Sequence, residues 1–133
     1  VDTGRGQLHQ KIFSDKRVVG MERTNLVDGN GLPEQVDLVV ADVSFTSLES
    51  VLPTAIDQLK AGGQVVVLLK PQFEAKKMEV PRGGVITDPL IHATVIGRFV
   101  KWAGESKIRV RNLTNAGILG DKGNREFLLH LEP

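Results

Sequence analysis

The sequence predicts an α/β fold in three layers, a central sheet with helices packed on it. Two apolar runs, Val36-Asp37-Leu38-Val39-Val40-Ala41 and Gln64-Val65-Val66-Val67-Leu68-Leu69, are nearly continuous rather than alternating. That is the pattern of strands covered on both faces. Segments with apolar residues at three- and four-residue spacing, the mark of amphipathic helices, follow each run. The third observation is charge at the ends of these strands. Asp42 and Lys70 directly follow the two runs, and Glu126 directly precedes Phe127-Leu128-Leu129-His130-Leu131. Charges abutting core strands are costly unless paired, so their repetition at strand ends points to a site.

The elements follow in order. Val1-Asp2 reads as a strand exit feeding the Gly-rich loop Thr3-Gly4-Arg5-Gly6, with a short helix predicted from Gln7 to Phe13. Arg17 to Met21 reads as a brief strand with the polar exit Glu22-Arg23-Thr24-Asn25, and Asp28-Gly29-Asn30-Gly31 as a turn. After the strand ending at Ala41, Leu48, Val51, Leu52, Ala55, Ile56 and Leu59 predict a helix from Ser47 to Lys60. Pro53 either kinks that helix or marks its true first turn. Gly62-Gly63 should end the unit and lead into a strand from Val65 to Leu69.

A further helix is well signalled: Asp88 suits an N-cap, Pro89 the first helical position, and Gly104 the close. Its buried side should comprise Ile91, Val95, Ile96, Phe99 and Ala103. Ile108 to Leu113 reads as a strand with Arg109 and Arg111 facing away. The last strand, Phe127 to Leu131, should run antiparallel after a hairpin at Gly120-Asp121-Lys122-Gly123-Asn124.

Composition narrows the function classes. The chain has 133 residues, 41% hydrophobic and 25% charged, ordinary for one globular domain, and shows no internal repeat or linker. A net charge of +1, from 17 basic and 16 acidic residues, neither demands nor excludes nucleic acid. There is no Cys, so disulfide and thiolate chemistry are excluded and a cytoplasmic location suits the chain. No run approaches the roughly 20 apolar residues of a membrane span. His9, His92 and His130 share no metal-ligand spacing, so no metal site is expected.

In open parallel sheets, ligands collect beyond the carboxyl ends of the strands. Asp42 and Lys70 occupy such ends, and an antiparallel last strand would bring Glu126 to the same edge. The competing reading is a purely structural ion-pair network. Phe73 suits either an apolar wall of the site or the core, and Glu74 a surface pair with Lys76 or Lys77. Ser44 has no base in the sequence pattern, which argues against a serine hydrolase.

Five segments together carry a resemblance. They are Asp2-Thr3-Gly4-Arg5-Gly6-Gln7-Leu8, Val40-Ala41-Asp42-Val43-Ser44-Phe45, Lys70-Pro71-Gln72-Phe73-Glu74, Gly83-Gly84-Val85-Ile86-Thr87-Asp88-Pro89 and Gly123-Asn124-Arg125-Glu126-Phe127-Leu128-Leu129. In order and spacing the chain resembles the haemolysin-A-like branch of the FtsJ-type ribosomal RNA methyltransferases. The resemblance implies a Rossmann-like methyltransferase sheet with a C-terminal antiparallel strand. It also implies S-adenosylmethionine as cofactor and methylation of a ribose 2′-hydroxyl, on cytidine, with ribosomal RNA or a ribosomal subunit as partner.

By the same resemblance, Asp42, Lys70 and Glu126 match the last three members of a Lys-Asp-Lys-Glu tetrad. Lys70 would be the general base, a role open to lysine only in its neutral form. Asp42 would orient Lys70 and the methyl-bearing end of the cofactor, and Glu126 the lysine and the hydroxyl. Asp2, Gly4 and Asn25 would contact the cofactor, with Glu22 a weaker candidate for its ribose. Phe73, Lys77 and Arg82 would contact RNA, the last two on a mobile loop running through Gly83-Gly84.

The resemblance places the family's first strand, its glycine-rich cofactor loop, the tetrad's first Lys and an S4 RNA-binding domain upstream of Val1. Residues 1–133 are therefore expected to be part of a methyltransferase domain. A free fragment would be expected to self-associate through exposed strand edges. The rival function is an accessory module that keeps the fold, binds RNA or protein, and does not catalyse.

Overall fold

The computed structural model describes residues 1–29 and 31–133, so Asn30 of the expected turn lies outside the described residues. The chain divides into two compact units, Val1–Glu34 and Gln35–Pro133.

The first unit is held mainly by short-range bonds. Its helix α1 (Gln10–Phe13) is a single turn capped by His9 and buries no residue. The expected start at Gln7 fails because nothing is buried to offset the cost of nucleating a longer helix. The expected strand from Arg17 to Met21 is also absent as a strand. Asp15 grips both the backbone and the guanidinium of Arg17, bending the chain into a turn, and Val19 is exposed. What remains of the pairing is a short extended contact. The Asp2 N–H donates to Met21 O, Thr24 N–H to Asp2 O, and Arg23 N–H to Gly4 O.

The second unit carries the sheet. Its strands are β1 (Val36–Ala41), β2 (Leu59–Leu69), β3 (Arg109–Leu119) and β4 (Arg125–Glu132), in the order β1-β2-β4-β3. β1 and β2 are parallel; β4 runs antiparallel to both β2 and β3. The helices are α2 (Leu48–Ile56), α3 (Pro71–Glu74) and α4 (Pro89–Glu105). Leu48 and Leu52 of α2, Val95, Phe99 and Ala103 of α4, and Val65, Val67, Leu69, Leu129 and Leu131 of the sheet form one core. Because side chains alternate along a strand, Leu38 and Val40 point the other way, and they are 52% and 70% exposed on the edge strand β1.

Three elements differ from expectation. α2 stops at Ile56 instead of reaching Lys60, and Pro53 sits inside it rather than in its first turn. Leu59 and Lys60 belong to β2, because Val36 pairs with Leu59 and draws the chain into the sheet early. The register then passes to Leu38 opposite Gln64, so Gly62-Gly63 forms a bulge within the strand instead of a turn before it. A Cβ on Gly63 would lie 2.8 Å from the Leu59 side chain and 3.2 Å from Asp37 O, which explains the glycine there. β3 extends to Leu119, well past the expected Leu113.

α4 starts as expected, with Asp88 Oδ1 accepting the Leu90 N–H at 2.8 Å and Pro89 in the first turn. It runs through Gly104 to Glu105, and the left-handed residue that closes it is Lys107, at φ 61°. The Ile108 N–H reaches back to Ala103 O and the Lys107 N–H to Gly104 O, a Schellman closure. A lysine in that conformation costs more than a glycine does. Lys107→Gly is therefore expected to raise the unfolding free energy by roughly 0.5–1 kcal/mol, after allowing for glycine's larger unfolded-state entropy. Urea titration checks this, and an unchanged or lower midpoint would contradict it.

Candidate active site

The two parallel strands deliver Asp42 and Lys70 to one edge of the sheet. Ala41 lies opposite Val67, and each strand ends within two residues of that pair. Pro71 holds Lys70 extended at φ −111°, ψ 101°, as the residue before a proline prefers. Lys70 Nζ then lies 2.6 Å from Asp42 Oδ1 and donates to Ser44 Oγ at 2.9 Å. The lysine side chain is only 13% exposed, whereas Asp42 is 64% exposed. A largely buried cation is thus held by one carboxylate that faces solvent.

β4 brings in the third residue. Leu69 lies opposite Phe127, so Glu126 reaches the edge at which Lys70 leaves β2. Glu126 is 6% exposed and accepts a hydrogen bond from Gln72 Nε2 at 3.0 Å. It forms no ion pair with Lys70 among the described residues, so the structure joins Asp42 to Lys70 directly and sets Glu126 beside them with an amide as its partner. The carboxylate also rests against Gly120, where any Cβ would overlap it. Gln72 Oε1 is a buried acceptor without a partner among the described residues.

The exits of β1 and β2 are fastened to each other along their length. Beyond the Lys70 contacts, the Phe45 and Phe73 rings meet at 5.0 Å between centroids. Glu74 accepts from Ser47 Oγ at 2.6 Å and from the Leu48 N–H at 2.7 Å, capping α2 from another segment. This replaces the expected surface pair of Glu74 with Lys76 or Lys77. Burial raises the Glu74 carboxyl above its ordinary value, opposed by its bonds to Ser47 and Leu48. Phe45 is 91% exposed and left-handed at φ 61°, an unfavourable backbone for a bulky residue kept beside the site.

The loop after α3 is better anchored than expected. Asn124, 3% exposed, accepts from the Ile86 N–H at 3.0 Å and donates to Gly84 O at 2.9 Å, and His92 Nε2 lies 2.9 Å from Ile86 O. The segment from Gly84 to Ile86 is therefore latched to the hairpin that carries Glu126. Lys77 and Arg82 are exposed and unpaired among the described residues. Glu79 and Arg98 form a two-bond pair at 2.7 and 2.6 Å that ties the 3₁₀ turn Lys77–Glu79 to α4.

In the first unit, Asp2 Oδ1 accepts the Gly4 N–H at 2.6 Å, and Asp2 Oδ2 has no partner among the described residues. Glu22 is occupied by the Gly6 N–H at 2.7 Å. Asn25 caps the 3₁₀ turn Leu26–Asp28, accepting from the Val27 N–H at 3.3 Å and donating to Asp28 at 3.4 Å.

A family model described as FtsJ-like methyltransferase matches residues 1–132. The chain belongs to the FtsJ-like methyltransferase family. Relatives include YqxC of Bacillus subtilis, 39% identical over 137 residues. TlyA of Mycobacterium tuberculosis, named a 16S/23S rRNA (cytidine-2′-O)-methyltransferase, is 38% identical, covering 98% of this chain and 49% of its own. Hemolysin A of Brachyspira hyodysenteriae is 34% identical. A hemolysin-named crystal structure from Lactococcus lactis superposes with a TM-score of 0.92 at 40% identity, covering 98% of this chain and 64% of that one. The chain spans about half the length of the curated relatives it matches. Among the described residues no helix is long and apolar enough to cross a membrane.

Asp42, Lys70 and Glu126, expected from the sequence, reach one sheet edge, whereas the contacts of Ser44, Gln72, Glu74, Gly120 and Asn124 are not legible in it. Four of these lie in the motifs that carry the resemblance, yet their partners are 26 to 54 residues away and leave no local signal.

One pH effect follows from the Arg98 pair. Its guanidinium, with the Lys76 N–H, holds the Glu79 carboxyl at about 2, below the ordinary 4.5. A depressed carboxyl stabilises the fold above its ordinary value and loses that contribution as pH falls toward the folded value. Wild-type stability is therefore expected to fall more steeply from pH 4.5 to about 2 than that of Arg98→Met. Parallel urea-midpoint profiles would contradict this.

Proposed function

We propose that the full-length protein transfers a methyl group from S-adenosylmethionine to a ribose 2′-hydroxyl of ribosomal RNA, on cytidine, in the cytoplasm. The observation that carries the reading is Lys70, largely buried and held at 2.6 Å by Asp42 at the strand exits, with Glu126 buried at the same sheet edge. A hydroxyl is a weak nucleophile until its proton has somewhere to go, and a largely desolvated lysine offers that place once it is neutral.

S-adenosylmethionine, when bound, supplies an electrophilic methyl group. The residues present suit such a cofactor: Asp2 keeps one carboxylate oxygen without a partner among the described residues, open to a ribose hydroxyl. Gly4 contributes a side-chain-free approach, and Asn25 offers an amide to the adenine edge. Lys70, in its neutral form, takes the proton of the attacking hydroxyl and later returns it to water. Asp42 stabilises the ammonium that results. Glu126, fixed by Gln72 at the same sheet edge, holds the lysine and the hydroxyl in register.

The acceptor side of the reading rests on different residues. The exposed ring of Phe45, backed by Phe73, gives a flat apolar surface on which an unstacked base can lie. Lys77 and Arg82 have no competing ion pair among the described residues and suit backbone phosphates.

Lys70→Met keeps the apolar stem and removes the titrating nitrogen. It is expected to lower methyl transfer to ribosomal subunits at least a hundredfold in the full-length protein, with the circular-dichroism spectrum unchanged. Transfer within a few-fold of wild type would overturn the assignment of the base.

A further inference from the structure

We propose that Ser44 is a positioning residue that sets the direction in which Lys70 receives its proton. The proposal rests on the reading of Lys70 as the base and adds a residue to that site.

Lys70 Nζ has four tetrahedral directions, one taken by Cε. Asp42 Oδ1 at 2.6 Å and Ser44 Oγ at 2.9 Å occupy two more, each facing an N–H. One direction is left. In the ammonium it holds the third hydrogen, and in the neutral amine it holds the lone pair. With Asp42 alone, the nitrogen could turn about the Cε–Nζ bond and sweep its lone pair through a cone while keeping that contact. Two acceptors at fixed points remove that freedom, so the open direction becomes a property of the protein.

Ser44 is held in place by more than its own contact. The chain from Asp42 to Leu48 is fastened to Lys70–Glu74 at four successive points. These are Asp42 and Ser44 on Lys70, Phe45 on Phe73, and Ser47 with Leu48 on Glu74. Phe45, the next residue, is left-handed at φ 61°, so the bend that presents the hydroxyl is maintained against backbone strain. A solvent-exposed serine meeting a lysine by chance would need none of this.

The hydroxyl also has the right chemistry. It accepts from the lysine without adding charge, so it does not favour the ammonium as a second carboxylate would. Its own hydrogen remains free to donate elsewhere. A misdirected base loses rate rather than affinity, because orientation matters at the moment of transfer and not in binding.

The test uses the full-length protein with ribosomal subunits and S-adenosylmethionine, comparing Ser44→Ala and Ser44→Thr. Ser44→Ala is expected to lower kcat about tenfold, with KM for the subunit and cofactor Kd within twofold of wild type. Ser44→Thr, which keeps the hydroxyl, is expected to remain within threefold in kcat. A second readout needs no turnover: acylation of Lys70 by acetic anhydride at pH 8, followed by peptide mass spectrometry. Ser44→Ala is expected to acylate at least threefold faster, since one acceptor restraining the ammonium has gone.

Equal kcat and equal acylation in Ser44→Ala and wild type would overturn the proposal. So would Ser44→Thr as impaired as Ser44→Ala. If wild type transfers no methyl group while the acylation difference is present, the proposed function falls and Ser44 stands as the residue that orients Lys70.

Discussion

The fastening of one strand exit to the other is the constraint on which the site depends. Parallel strands end side by side, but their exits would diverge into separate loops without further contacts. Here the ion pair, the aromatic contact and the Glu74 cap close the gap between residues 42–48 and 70–74. Each bond serves both the fold and the site. Glu74 satisfies the first N–H of α2, that of Leu48, which would otherwise lack a partner. Lys70 starts α3 and also presents its nitrogen at the sheet edge.

The antiparallel strand completes the arrangement by a different route. β4 lies between β2 and β3, so its first residues arrive where β2 ends. Glu126 is buried there without a cationic partner among the described residues, which is a costly placement for a carboxylate. The Gln72 amide and the bare backbone of Gly120 accommodate it. A buried carboxyl kept without a salt bridge suits the proposed role in the site better than a contribution to stability.

Much of this was legible in the chain because local signals agreed. Asp88-Pro89 placed the start of α4, and continuous apolar runs placed β1 and the end of β2. The hairpin glycines fixed the sense of β4, and with it the meeting of three charges far apart in sequence. What stayed hidden was set by tertiary contacts. Gly62-Gly63 reads locally as a turn, and only pairing of Val36 with Leu59 makes it a bulge. Arg17 to Met21 has strand-like residues but meets a turn imposed by Asp15. Ser44 reads as an unassisted hydroxyl until Lys70 is seen beside it. Gln72, Glu74 and Asn124 each bond across long separations, and nothing in their own segments names the partner.

We propose that this sheet edge takes a proton from an oxygen nucleophile. Locating the transferred methyl tests that most directly. The full-length protein would be supplied with S-adenosylmethionine carrying a trideuterated methyl group and with ribosomal subunits, and the RNA digested to nucleosides for mass spectrometry. The account predicts the label on a ribose 2′-oxygen. Label on a base carbon or nitrogen, or none transferred by a protein that binds both partners, would contradict it.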